Sequence, residues 1–145
     1  MNENMELLNH VHENAEMGLH SLNNLKEALK NKDNKIKGLL DDEIKEYNNF
    51  LKETEKLLKK NKIEPKKTNL MSKLSSKMGI TMETLKDNSD AAIASMIIEG
   101  ITMGIVNMQT KIENYKKVVD KKILKLSTKF LKFQEEEIEK LKTFM

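Results

Sequence analysis

Apolar residues recur at helical spacing along most of this chain, in four long runs. The first, from Glu3 to Asn31, sets Met5, Leu8, Val11, Ala15, Leu22, Leu25 and Leu29 on one stripe. That is the spacing of a helix with one face turned to a core. The second, from Lys35 to Lys60, does the same with Ile36, Leu40, Ile44, Tyr47, Leu51 and Leu58. Between them, NKDNK breaks the pattern and offers Asp33 or Asn34 as a cap for the second run. Pro65 ends helical continuity. The stretch 61–88 reads as a long connection with a short helix at Asn69–Met78, closed by Gly79, and a turn at Thr81–Leu85. Ser89 or Asp90 then caps a third run, Ala91 to Val118, and Asp120 marks the break before a fourth that reaches the C-terminus.

Loop length sets the topology. Short breaks make the first and second helices one antiparallel hairpin, and the third and fourth another. Helices of this size span on the order of 40 Å at 1.5 Å per residue, and the 61–88 connection is long enough to travel back along them. Two hairpins joined by one long crossover is the ferritin-like arrangement of a four-helix bundle. The expectation is one all-α domain over 1–145.

The third run departs from the others. AAIASMIIEGITMGIVNM, residues 91–108, is apolar on every helical face and carries a single charge, Glu99. A helix of that kind must be covered all round. Ala94, Ile97, Ile101, Ile105, Met108 and Ile112 form one face, while Ala92, Met96, Glu99, Met103 and Val106 form nearly the opposite one. A four-helix bundle buries only about half of each helix, so the second face needs the crossover or a second subunit. The expectation is a homodimer with Met96, Glu99 and Met103 at the contact, and with Gly100 and Gly104 permitting close backbone approach.

Composition narrows the function classes. The chain is 34% charged and 4% aromatic, with no Trp, so stacking platforms for bases or sugars are not expected. All 26 basic residues are Lys. Without the Arg fork, sequence-specific nucleic-acid binding is disfavoured, and the basic stretch KKNKIEPKK reads as a solvated loop. The absence of Cys removes disulfides and thiolate chemistry. No Gly-rich nucleophile elbow supports Ser/His/Asp catalysis. The N-terminus lacks the pattern of a signal peptide, and 91–108 is short for a membrane span and interrupted by Glu99 and Asn107. The expectation is a cytoplasmic protein that binds neither membrane nor nucleic acid. Ten methionines raise a Met/His copper(I) site, against which Met as adaptable core filler is the commoner use.

The phrases HVHENAEMGLHSL, KMGITMETL, IIEGITMGI and FLKFQEEEIEKLKTF give the chain a resemblance to the ferritin-like superfamily, and it is similar to rubrerythrin and bacterioferritin bundles over essentially its whole length. The resemblance implies a di-iron site, to which the first and third helices each give a Glu and the second and fourth each give Glu-x-x-His. The corresponding positions here read Glu43-Ile-Lys-Glu46 and Glu137-Ile-Glu-Lys140, and the only histidines are His10, His12 and His20. Neither Glu-x-x-His is present.

Helical projection sorts the inward polar residues. Glu43 and Glu137 each fall within about 30° of the apolar centre of their helix, with Glu46 at the edge and Gln134 one turn before Glu137. Glu13 and Glu16 fall on the solvent side of the first helix, with His12 on its flank. The His12, Glu16, His20 series has the spacing of a surface metal site, and more commonly such a stripe is solvated. Levels along the bundle bring Glu43, Glu99, Glu137 and His20 to a similar height, one polar layer able to hold iron or manganese. The plainer reading is a pair of boundary carboxylates answered by Lys26 or Lys140. The leading expectation is a non-catalytic interaction or scaffold protein without cofactor. The alternative is a ligand-poor metal carboxylate bundle with oxidase or storage activity.

Overall fold

The computed structural model describes residues 2–65 and 88–145, and within them four helices. They are α1 (Glu3–Ala28), α2 (Lys37–Lys60), α3 (Asp90–Tyr115) and α4 (Lys121–Lys142). All four runs of the sequence pattern are present, each within a few residues of its expected bounds. The short helix at Asn69–Met78 and the turn at Thr81–Leu85 lie outside the described residues.

α1 packs along α2, and α3 along α4; α1 also touches α3 and α4, and α4 touches α2, whereas α2 and α3 do not meet. Hydrogen bonds at the two ends fix the directions. At one end the Asn34 amide donates to the Asp90 carboxylate at 3.0 Å and to the Asn88 carbonyl at 2.9 Å, placing the start of α3 beside the α1–α2 loop. At the other, the Lys111 ammonium and the Tyr115 hydroxyl donate to Glu6 at 2.9 Å and 2.8 Å, and the Asp120 amide donates to Asn4 at 2.9 Å. α2 therefore ends at the opposite end of the bundle from where α3 begins. The chain is two antiparallel hairpins whose connection joins opposite ends.

The caps show how the hairpins are tied. Asn2 and Ser89 cap α1 and α3 by accepting from Asn4 and Ala92. The start of α2 has no such local partner, because its preceding residue, Ile36, is a buried apolar side chain. Asp90 serves instead: its carboxylate accepts from the Lys35 and Ile36 amides at 3.2 Å and 3.4 Å. A negative charge at that point also meets the positive end of the α2 dipole. The expected choice between Ser89 and Asp90 resolves into two jobs, one residue for each helix.

The core is the expected stripes turned inward. Leu8, Val11, Leu22, Leu25, Leu40, Tyr47, Ile93 and Phe130 are buried, and the Tyr47, Phe50, Phe130 and Phe133 rings pack edge-on or tilted between α2 and α4. α3 behaves differently. It is the one described helix long and apolar enough to cross a membrane, yet only 28% of its most apolar window is buried. Ile93, Ala94, Ile101, Ile105 and Met108 face the bundle, while Met103 is 72% exposed and Val106 55% exposed.

Candidate functional site

The polar centre of the bundle is built by α2 and α4. Glu43 and Tyr47 stand one turn apart on α2, Gln134 and Glu137 nearly one turn apart on α4, and all four side chains are buried. The Tyr47 hydroxyl donates to Glu137 Oε1 at 2.7 Å, and Gln134 Nε2 donates to the Tyr47 oxygen at 3.3 Å. This network fixes the Gln134 amide. Turned over, it would set its carbonyl against a hydroxyl whose hydrogen is already committed to Glu137.

Glu43 and Glu137 lie within hydrogen-bonding reach of each other, and burial raises both carboxyls. Two adjacent carboxylates cannot both ionise cheaply in such a place. The Tyr47 hydrogen bond stabilises the charged form of Glu137, whereas Glu43 has no donor. Of the two, Glu43 is the carboxyl whose protonated form is favoured more strongly. Burial also pushes the Tyr47 hydroxyl well above its ordinary range, so it remains a donor. With the Glu43 proton given to Glu137, the Gln134 carbonyl oxygen Oε1 still has no partner, although Gln134 is only 4% exposed.

The other expected members of the layer stand in different surroundings. Glu99 is exposed on α3 and His20 is half-buried on α1. Among the described residues no group of three or more His, Asp or Glu side chains converges as a metal site. Among the described residues the centre offers two carboxyls, a phenol and an amide, against the four to six ligands of a di-metal site. Lys26 does not answer Glu43 either; it pairs with Asp41 at 2.9 Å on the surface. Lys140 is exposed and acts on both carboxyls only through its field.

The first helix holds two surprises for the projection. His12, assigned to the flank, is buried with its Nε2 3.2 Å from Glu16 and 3.7 Å from Glu55 of α2. His10 is half-buried, its Nε2 has no partner, and desolvation with Lys111 nearby pulls its pKa down to about 4. Both were hidden because the helix α1 meets neighbours on three sides, which a single apolar centre does not represent.

An apolar slot of about 130 Å³ opens between α1 and α3 and reaches this polar centre. Small residues make it. Gly18 lets the Tyr47 ring lie against α1, since a Cβ there would sit 2.6 Å from the ring, and a Cβ on Gly104 would come 2.9 Å from Asn14 Oδ1. Gly100 faces open space. Leu22, Leu25, Ile97 and Ile101 supply walls, and Tyr47, Gln134 and Glu137 line the inner end.

Over the described residues, fold and centre define an all-helical arrangement of four helices with a buried carboxyl pair between α2 and α4. No protein-family model, no curated protein and no solved structure matches the chain.

Proposed function

We propose that this chain is a non-catalytic helical interaction protein on a ferritin-like bundle, and that it works as a homodimer through the outward face of α3. The topology supports the ferritin-like reading: two antiparallel hairpins, with α2 ending at the opposite end from the start of α3. The observation that carries the interaction reading is the exposure of Met103 and Val106 on a helix whose other face is buried. Exposed side chains of that size on one helical face form the kind of patch that marks an association surface. Met96 and Glu99 precede Met103 at helical spacing, and a two-fold contact brings this same face of each copy against the other. The carboxyl pair, with its Tyr47 and Gln134 partners, then acts as a buried polar network that specifies how α2 and α4 pack.

Sedimentation velocity at micromolar concentration tests this. The unmodified protein should run as a dimer, and Met103→Lys should run as a monomer with unchanged helix content. A monomeric unmodified protein overturns the proposal, and so does a Met103→Lys protein that unfolds, which places this face inside the fold. Co-sedimentation of the monomer with lipid vesicles would reassign the face to a membrane.

A further inference from the structure

We infer that the slot between α1 and α3 is a binding site for a small unbranched apolar molecule carrying a primary ammonium head. The apolar body fits the walls, Leu22, Leu25, Ile97 and Ile101, along a channel kept open by Gly100. Its volume, about 130 Å³, compares with the roughly 150 Å³ apolar cavities that take up benzene-sized guests. That space suits a chain of about six carbons.

The inner end selects the head. Gln134 Oε1 is buried and has no donor, so it is an acceptor awaiting one. A buried acceptor left unmade costs free energy that a donor head recovers. Glu137 lines the same end, its Oε1 already accepting from Tyr47. The Tyr47 hydrogen bond stabilises the charged form of Glu137, so Glu137 is the carboxyl that a cationic head would meet. Lys140, whose field acts on the pair, is exposed and works from outside. An ammonium group provides both things missing from the centre: a positive charge at short range, and hydrogens for the Gln134 carbonyl. A hydroxyl provides only the second, and a carboxylate neither.

The test uses the full chain and titrates n-hexylammonium against it by calorimetry or by amide chemical shifts, with 1-hexanol as the isosteric neutral control. Hexylammonium should bind in the millimolar range or tighter, at least tenfold tighter than hexanol, with shifts at Gly18, Gly100 and Gln134. Gly100→Leu fills the slot without touching the polar centre and should abolish binding while circular dichroism stays native. Should that variant misfold, Ser21→Leu closes the same slot from α1. Glu137→Gln should bring hexylammonium and hexanol to equal affinity. Failure of hexylammonium to bind the unmodified protein overturns the inference, as does binding that survives Gly100→Leu or that hexanol matches. The oligomeric state is scored separately by sedimentation, so a monomer leaves this result standing.

Discussion

Gly18 and Tyr47 are in contact because one of them has no side chain. The Tyr47 ring occupies the space in which a Cβ of Gly18 would stand, 2.6 Å from two of its carbons. The same ring carries the hydroxyl that reaches across the bundle to Glu137 at 2.7 Å. The absence of an atom on α1 thus sets the position of a proton donor between α2 and α4.

Gly18→Ala should be destabilising although alanine favours helices. The methyl displaces Tyr47 and with it the hydrogen bond to Glu137, a cost on the order of 1–3 kcal/mol for an overpacked core position. Gly100→Ala is the control. Its Cβ meets nothing within 4 Å, so the helix-propensity gain of up to about 1 kcal/mol should appear as stabilisation. Urea denaturation of the two variants should give opposite signs.

The carboxyl pair should make stability fall as pH rises above the ordinary carboxylate range. Glu43 and Glu137 both have pKa values raised above 4.5 by burial. Above that pH the native state holds protons that the unfolded chain has released, so stability declines until the folded pKa is passed, and the contribution is fully present only below 4.5. Glu43→Gln keeps an N–H donor for Glu137 and removes one titration. Its stability curve should be flatter above pH 5, with a gain of about 1 kcal/mol at pH 8.

His10 should act in the opposite sense and over a separate interval. Its pKa falls from 6.5 to about 4 in the folded chain. Between those values the unfolded state binds the proton and the native state does not, so His10 makes stability rise with pH there. A two-dimensional ¹⁵N spectrum of the imidazole should show it neutral at pH 5. A ring that titrates near 6.5 would mean that its burial is not maintained in solution.

Asp90→Ala should cost about 1–2 kcal/mol, the range of a lost helix cap. The lost cap belongs to α2 rather than to the helix that carries the substitution. Amide exchange should therefore quicken at Lys37–Leu40, while Ser89 continues to protect the start of α3.

Much of this architecture was legible in the residue pattern. α2 and α4 carry polar residues on all but one stripe, so a single apolar centre describes them, and Glu43 and Glu137 could be placed inward from spacing alone. Direction on a helix says nothing about partners elsewhere, so the Tyr47, Gln134 and Glu137 network and the capping of α2 by Asp90 stayed hidden. α3 resisted for a different reason. With apolar residues on every face it has no polar side to orient by, and Glu99, aligned by height with the other carboxyls, lies on the exposed side. Glycine, too, carries no hydropathy signal for the slot it opens.

The ties at the two ends of the bundle set how the slot can exchange its contents. Asn34 and Asp90 hold the start of α3 to the loop that follows α1, and Glu6 holds the finish of α3, through Lys111 and Tyr115, to the beginning of α1. Two helices pinned at both ends cannot swing apart like a hinge. They can only bow outward at the middle, where Gly18, Gly100 and Gly104 sit. The width of the slot is then set by the bending stiffness of two long helices, and a guest broader than the slot should meet a steep cost that a slimmer one of equal length avoids.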